Sequence, residues 1–252
     1  MDLGLTGKRA IVTGGTRGIG RAIAQLLIEE GATVSICARS ADSVATAIAE
    51  LGPNASGDAV DVSDRNAYVD WINRTVEQHG GLDIFIGNVA LMGGGDAEEL
   101  WRTSFEVDLM HCVRGCTAAL PALADSDAGA IVLISSVSSV MTQLSDEERA
   151  YGSLKAALTS FGGQLAQAVA DQGIRVNTVA PGPVFFPGGI WDEIQQSDPA
   201  THEHVRQLTA LGRLATPEEI ARTVVFLASP ASSYTTGATF RVDGGIVKTV
   251  QP

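Results

Sequence analysis

Near the start of the chain, the spacing of apolar and polar positions changes from the pattern of a strand to that of a helix. Arg9–Thr13 is an apolar, β-branched run that predicts a buried strand. Glycines follow at Gly14, Gly18 and Gly20, and the apolar positions within 22–27 then have the spacing of one helix face. This pattern predicts a strand, a tight turn and a helix that begins near Gly18, which is the first half of a β-α-β unit.

The same alternation continues along the rest of the chain. Further strands are predicted at 33–38, 57–61, 82–87, 130–136, 174–180 and 237–242, and helices at 41–51, 64–78, 97–124, from 151 onward and from Thr216. We therefore expect an α/β fold, with a parallel sheet of about seven strands flanked by helices on both faces. Because no linker or repeat divides the chain, residues 1–252 are expected to form a single domain.

Two stretches carry more specific expectations. The large apolar residues of 97–124 are expected to form the core-facing stripe of a long helix, and they include Trp101, Phe105, Leu109 and Val113. Residues 184–212 lack a clear period and follow the carboxyl end of a predicted strand. We expect this segment to be a substrate lid.

The glycine turn predicts a site for the pyrophosphate of a dinucleotide. Gly14, Gly18 and Gly20 let the backbone approach a bulky anion, and the helix that follows directs unpaired N–H groups toward it. Arg39 ends the second strand, where an acidic residue would favour NAD and an arginine suits the 2′-phosphate of NADP. Arg39 and Ser40 therefore predict NADP(H), and Arg17 is a second candidate cation. The alternative is that both arginines are solvated loop residues.

Asp61 and Val62 end the third predicted strand, at the edge of the sheet where an adenine would lie. The Asp61 carboxylate is suited to accept a hydrogen bond from the adenine amino group. The alternative is that Asp61 caps the next helix, in competition with Ser63 or Asp64.

Composition narrows the class of partner. The chain has 17 Lys and Arg against 29 Asp and Glu, a net charge of −12 that opposes binding to nucleic acid or to an anionic membrane. A small-molecule partner is expected. Three cysteines give no disulfide framework, and no metal is expected. The first residues lack the regions of a signal peptide and no run of 18 apolar residues occurs, so we expect a soluble, cytoplasmic protein.

Tyr151 and Lys155 are four positions apart on a predicted helix and so share one face. A free tyrosine has a pKa of about 10, which is too high for proton exchange at neutral pH. An ammonium about 4 Å away, at an effective dielectric constant of about 20, offsets about 4 kcal/mol and brings that pKa near 7. The alternative is a solvent-facing tyrosine beside a solvated lysine.

These motifs occur in one order along the chain: the glycine turn, Asp61-Val62, Ser136, Tyr151 with Lys155, and Pro181-Gly182. With that order, the chain resembles the classical short-chain dehydrogenase/reductase family from about Leu5 to Gly245. The resemblance implies a Rossmann-type, doubly wound fold and an enzyme that transfers hydride between a nicotinamide and a carbonyl or alcohol. It also implies a homotetramer or homodimer.

The resemblance assigns roles to particular positions. Tyr151 is the proton donor and acceptor, Ser136 holds the carbonyl oxygen, with Ser138 as a weaker candidate, and Lys155 lowers the Tyr151 pKa and binds the nicotinamide ribose. The remaining cofactor contacts that it implies are Thr16, Ile19, Val62, Asn88, Val89, Ala90, Pro181, Gly182 and Val184.

Three positions depart from the family pattern. Asp108 stands where the family has a catalytic asparagine, and its charge is expected to raise the Tyr151 pKa. Gly87 precedes Asn88 where the family has two asparagines, which removes side-chain bonds that stabilise the sheet. A phenylalanine, Phe185 or Phe186, replaces a threonine that contacts the nicotinamide amide.

The sequence thus predicts an NADPH-dependent carbonyl reductase, or the reverse alcohol dehydrogenase, with a partly apolar substrate. The residues that suggest this substrate would serve equally as core or subunit contacts, and they are Met92, Met141, Leu144, Phe185, Phe186 and Trp191. One alternative is a 3-oxoacyl thioester reductase that acts on an acyl carrier protein. A second alternative is an NADP-binding regulator without turnover.

Overall fold

The computed structural model describes residues 1–91 and 97–249. Within these two stretches the strands are β1 (Arg9–Thr13), β2 (Thr33–Ala38), β3 (Ala55–Ala59), β4 (Ile84–Gly87), β5 (Ala130–Ile134), β6 (Arg175–Pro181) and β7 (Thr239–Val242). The helices are α1 (Gly18–Glu29), α2 (Ala41–Leu51), α3 (Arg65–His79), α4 (Ala97–Ser104), α5 (His111–Ala124), α6 (Arg149–Val169), α7 (Ile190–Ser197), α8 (Pro199–Leu208) and α9 (Pro217–Ala228). A π-helical turn, Phe105–Met110, joins α4 to α5.

All seven of these strands run parallel in one sheet of order β3-β2-β1-β4-β5-β6-β7. Successive strand residues face opposite sides, so Val12 and Ile11 of β1 belong to two different cores. Ile23 of α1 and Val224 of α9 pack in the first core, while Trp71 of α3 packs in the second. The expected α/β fold with helices on both faces is confirmed. That residues 1–252 form one domain stays a prediction.

The order of the strands reverses between β1 and β4, which is where α/β sheets open a crevice for a ligand. Because the strands are parallel, the glycine turn after β1, Asn88 after β4, Ser136 after β5 and Pro181 at the end of β6 reach the same edge of the sheet. None of the helices within the described residues is both long and apolar enough to cross a membrane.

Two element boundaries differ from the predictions in ways that affect the site. The third strand ends at Ala59, so Asp61 and Val62 lie in the loop that follows it. The fifth strand ends at Ile134, and Ser136 begins a short 3₁₀ turn, Val137–Val140.

No helix was predicted within 184–212, and the structure has two there, while the role of this segment as a substrate lid stays a prediction. This segment contains α7, with Asp192 and Glu193 in its first turn, and α8, which is capped by Asp198 and begins with Pro199. Neither helix contains a fully buried residue. A helix that buries no complete face leaves only a weak 3.6-residue period in its sequence, which explains why the pattern did not reveal it.

The predicted core stripe of 97–124 is wrong for two of its named residues, although Cys112, Cys116 and Leu123 of α5 do belong to the core. Trp101 and Phe105 are each 43% exposed, and Leu109 only borders the core. The fully buried positions instead include Asp108 and His111. The π-helical turn adds a residue to one helical turn, which rotates the following positions away from the face that a regular helix would bury.

Candidate active site

The glycine turn after β1 leaves the first turn of α1 open to an anion. Gly14 and Gly18 have φ angles of +67° and +54°, which favour glycine. Arg17 precedes α1 without a side-chain cap, and the first turn carries no acidic residue. The unpaired N–H groups of such a helix end bind a phosphate or pyrophosphate well. Gly20 serves packing, because a Cβ there would lie 2.2 Å from the Gly14 carbonyl oxygen.

Asn88 ties the end of β4 to this turn. Its side-chain Nδ2 donates to the carbonyl oxygens of Thr13, at 2.9 Å, and Gly14, at 3.2 Å. Its backbone N–H donates to Thr13 Oγ1 at 2.8 Å. At the preceding position, a Cβ on Gly87 would lie 2.8 Å from the sulfur of Cys112, so the glycine makes room for this buried thiol. The single asparagine thus still joins the two central strands.

The residues expected to distinguish NADP from NAD lie where the sequence placed them. Arg39 is exposed at the end of β2, and Ser40 caps α2 by accepting from the Ser43 N–H at 3.3 Å. Arg17 is exposed and its Nη1 donates to the Gly188 carbonyl at 3.1 Å, so its contact with the cofactor phosphate stays a prediction.

Asp61 does not cap α3. Its Oδ1 accepts from the N–H and the hydroxyl of Ser63, at 2.9 and 2.7 Å, while Asp64 caps the helix by accepting from the Asn66 and Ala67 N–H groups. The bonds from Ser63 lower the Asp61 pKa despite partial burial, and the charge of Arg39 lowers it further. Asp61, in the loop after β3, is therefore an ionised acceptor, and its contact with an adenine stays a prediction.

Tyr151 and Lys155 lie on the first two turns of α6 and are both buried, at 9% and 1% exposure. Lys155 Nζ lies 5.5 Å from the centre of the Tyr151 ring and donates to the Ile134 carbonyl at 3.1 Å. Ser136 Oγ accepts from the Ser138 N–H at 3.1 Å and donates to Ser138 Oγ at 3.2 Å, and the Ser136 side chain acts to lower the Tyr151 pKa. The structure thus brings together Ser136, Tyr151 and Lys155, and the alternative of a solvent-facing pair is wrong.

Asp108 lies on the π-helical turn, directly behind Lys155. The carboxylate is fully buried, and its Oδ1 is 3.5 Å from Lys155 Nζ and accepts from the Leu91 N–H at 3.1 Å. Its other oxygen, Oδ2, has no hydrogen-bond partner among the described residues. Burial raises the pKa of Asp108, against the opposing charge of Lys155.

The prediction that Lys155 lowers the Tyr151 pKa to near 7 is wrong. Burial raises the pKa of this phenol above its usual value, and the lowering effect of Lys155 is opposed by the charge of Asp108. Burial would also lower the pKa of Lys155, but the charges of Asp108 and Tyr151 hold it above its usual value. At neutral pH the site therefore presents a protonated phenol beside a permanent ammonium.

His111, one turn beyond Asp108, was not predicted from the sequence as part of the site. The imidazole is fully buried, its Nε2 lies 3.3 Å from the Cys112 sulfur, and Nδ1 has no hydrogen-bond partner among the described residues. Burial, assisted by the charge of Lys155, lowers its pKa to about 3, so the ring is neutral. The spacing of three residues from Asp108 was the signal available in the sequence. No group of three or more metal-ligating side chains occurs in the described part of the chain.

The other residues predicted to contact the cofactor differ in whether their backbone or their side chain is accessible to it. Val62 and Val184 are buried in the core, so only their backbone groups are available to a cofactor. The Gly182 N–H donates to the Val242 carbonyl at 3.0 Å, which fixes the loop after β6. The remaining positions line the same edge with partial or full exposure, and they are Thr16, Ile19, Val89 and Ala90.

The apolar residues expected at the substrate mouth have different environments. Met141 is 37% exposed, whereas Leu144 packs against Gly152. Phe185 makes an edge contact with the ring of His202, with 6.2 Å between centres, and Phe186 lies over Gly18. Trp191, on α7, is half-buried, and Met92 lies outside the described residues.

Comparison with known proteins gives matches along almost the entire chain. The profile of a protein family described as enoyl-(acyl carrier protein) reductase matches residues 14–247. Isoepoxydon dehydrogenase patN from Penicillium expansum is 36% identical over 252 residues, which cover 98% of this chain and 97% of that protein. The 3-oxoacyl-[acyl-carrier-protein] reductase FabG from Vibrio harveyi is 36% identical over 251 residues, with 97% and 99% covered.

The crystal structure of L-sorbose reductase from Gluconobacter frateurii, complexed with NADPH and L-sorbose, has the same fold with a TM-score of 0.90. It is 32% identical and covers 99% of this chain and 100% of that one. These relatives and the motifs around Tyr151 lead to the same assignment. The chain belongs to the short-chain dehydrogenase/reductase family.

Proposed function

We propose that this protein is an NADP(H)-dependent oxidoreductase that interconverts a ketone and a secondary alcohol, with Tyr151 as proton donor and acceptor. One observation carries the proposal. Ser136, Tyr151 and Lys155 form a buried cluster at the same sheet edge as the glycine turn and the open end of α1. The NADPH complex of L-sorbose reductase, whose fold is so similar, supports the same cofactor here.

The residues of the crevice fit a phosphorylated dinucleotide. The open first turn of α1 suits the pyrophosphate, and its lack of acidic residues avoids repulsion. Arg39 and Ser40, after β2, suit the 2′-phosphate, and Arg17 on the glycine turn is a second cation for it. The Asn88–Ala90 backbone and the Pro181–Val184 loop would hold the nicotinamide end. When bound, NADPH supplies the hydride for the carbonyl carbon.

Two hydroxyl groups act on the substrate oxygen. Ser136 donates a hydrogen bond that positions this oxygen and stabilises the charge that develops on it. The Tyr151 phenol donates its proton to the same oxygen, since its pKa keeps it protonated at neutral pH. Lys155 stabilises the resulting phenolate through its permanent charge. In the oxidation direction Tyr151 must first lose its proton, so alcohol oxidation is expected to be favoured at alkaline pH.

Asp108 acts through Lys155 and is a positioning residue rather than a group that touches the substrate. Its carboxylate oxygen lies 3.5 Å from the Lys155 ammonium, which in turn lies 5.5 Å from the centre of the Tyr151 ring. The same charge raises the pKa of the phenol. Asp108 therefore adjusts the balance between carbonyl reduction and alcohol oxidation.

A 3-oxoacyl thioester reductase is the second candidate, because the FabG protein of Vibrio harveyi is as similar in sequence as isoepoxydon dehydrogenase. An NADP-binding regulator without turnover is the third candidate. It would have no need of a buried Tyr151, Lys155 and Ser136 arranged for proton transfer, and that arrangement argues against it.

Assembly into a homotetramer or homodimer is also part of the proposal. Trp101 and Phe105, each 43% exposed, form an apolar surface that a second copy of the chain would cover. A cytoplasmic location stays a prediction from the composition of the chain.

A panel of ketones with NADPH and NADH tests the proposal. We expect consumption of NADPH that depends on the ketone, and slower consumption of NADH. The absence of ketone-dependent consumption, together with tight binding of NADPH, would instead indicate the regulator.

A further inference from the structure

The two segments that frame the substrate side of Tyr151 expose apolar side chains. Val140 and Met141 follow Ser136 and are 57% and 37% exposed, and Ile190, 36% exposed, begins α7. These segments leave the carboxyl ends of β5 and β6, which are neighbours in the sheet. Exposed apolar side chains at a crevice favour the uncharged, apolar part of a ligand.

The same two segments carry carboxylates at the surface, of which Asp192 is half-buried and the others are exposed. Asp146, Glu147 and Glu148 directly precede the first turn of α6, and Asp192 and Glu193 lie in the first turn of α7. Glu148 is fixed by the N–H and hydroxyl of Ser145, at 3.2 and 2.9 Å.

Three arginines near these segments, one at the start of α6, one on α8 and one just beyond α8, are each paired with a carboxylate. Arg149 lies 2.8 Å from Asp146, Arg206 lies 2.6 Å from Glu203, and Arg213 lies 2.6 Å from Glu219. A carboxylate or phosphate on a substrate would therefore meet three arginines that are already paired, beside acids that repel it, and Arg17, which contacts the Gly188 carbonyl, is the cation proposed for the cofactor phosphate.

We infer that this mouth selects uncharged ketones and disfavours ketones that carry an anionic group, including 3-oxoacyl groups attached to an acidic carrier protein. The inference rests on the proposed function and names the substrate class of the same site. Charge at a crevice changes association rates by about tenfold or more, and the effect weakens as salt screens it. The apolar side chains favour an uncharged ketone, such as the ester of a 3-oxo acid, and the carboxylates disfavour the free acid.

Matched pairs of compounds with the same ketone test this inference. For several 3-oxo acids and their ethyl esters, we expect kcat/KM with NADPH to be about tenfold or more higher for the ester at low salt. The ratio should fall toward one as salt is added. A neutral thioester of a short acyl mimic should likewise exceed the same acyl group on an acidic carrier protein.

Two double variants, each of which removes two charges, test the role of these carboxylates: one acts at the mouth, and its control acts at the other edge of the sheet. Glu147→Gln/Glu193→Gln changes one carboxylate on each side of the mouth, and we expect the ester-to-acid ratio to fall about threefold or more. The control Glu77→Gln/Asp171→Asn removes two exposed charges at the amino-terminal edge and should leave the ratio unchanged.

Turnover of both members of each pair with equal kcat/KM would overturn the inference and leave the proposed function standing. An ester-to-acid ratio that stays the same in the Glu147/Glu193 variant would also overturn it. If no ketone of any pair is reduced, the proposed function fails, and the inference fails with it.

Discussion

Replacing Asp108 by asparagine removes a buried charge behind Lys155 with little change in shape. The amide oxygen of asparagine can still accept from the Leu91 N–H, which Asp108 Oδ1 now does at 3.1 Å. The variant therefore separates the charge of this side chain from its hydrogen bond. The expected result is a lower pKa for Tyr151 and an alcohol oxidation that begins at lower pH.

The distances in the site set the size of this effect. Asp108 Oδ1 lies within about 9 Å of the Tyr151 ring centre, because the two distances of 3.5 Å and 5.5 Å meet at Lys155 Nζ. The charge of the phenolate lies mainly on its oxygen, about 3 Å from the ring centre, so the two charges are at most about 12 Å apart and, at an effective dielectric constant of about 20, interact with about 1.4 kcal/mol or more, which corresponds to about one pKa unit. The Tyr151 pKa should thus fall by about one unit or more.

The pH dependence of kcat/KM for alcohol oxidation measures this shift. Its ascending limb, which reports ionisation of the phenol, should move by about one unit to lower pH in Asp108→Asn. The control Asp70→Asn, on the exposed face of α3, should keep the wild-type profile. Coincident profiles for Asp108→Asn and the wild type would refute the electrostatic coupling of Asp108 to Tyr151.

Three further predictions concern the cofactor crevice. Arg39→Ala should reduce the preference for NADPH over NADH by about ten- to a hundredfold, measured as the ratio of kcat/KM values, and an unchanged ratio would exclude Arg39 from the 2′-phosphate site. Asn88→Ala removes bonds to the carbonyls of Thr13 and Gly14 and should lower the free energy of unfolding by about 1–3 kcal/mol in urea titration, whereas an unchanged midpoint would contradict this role. Gly20→Ala places a Cβ 2.2 Å from the Gly14 oxygen, so we expect a lower melting temperature and a loss of about 1–3 kcal/mol, and a wild-type melting curve would contradict the close packing.

The elements that the sequence predicted well are those whose signals are local. The glycines after β1 and the apolar positions that follow fixed the start of α1 near Gly18. At α9, Thr216 and Glu219 form a capping box and Pro217 takes the first turn, so the start of this helix was also predicted correctly. The exposed helices α7 and α8 escaped prediction because burial did not impose a regular pattern on their residues.

The residues that form the site could be predicted from the sequence, but the pKa of Tyr151 could not. The spacing of Tyr151 and Lys155 placed both on one face of α6, and the order of motifs added Ser136. The raised pKa of the phenol depends on burial and on the position of Asp108 on a π-helical turn, which are tertiary properties. His111 was missed for the same reason, because its burial against Cys112 is set by that turn.

Single-turnover reduction by Tyr151→Phe is the most direct test of the central claim that this phenol delivers the proton. The variant retains the ring that Lys155 faces, so NADPH should bind with an affinity close to that of the wild type, as measured by nucleotide fluorescence. The rate of NADPH oxidation with a saturating ketone should fall by about 10²- to 10⁴-fold. Oxidation at the wild-type rate, with the nucleotide bound, would contradict the account.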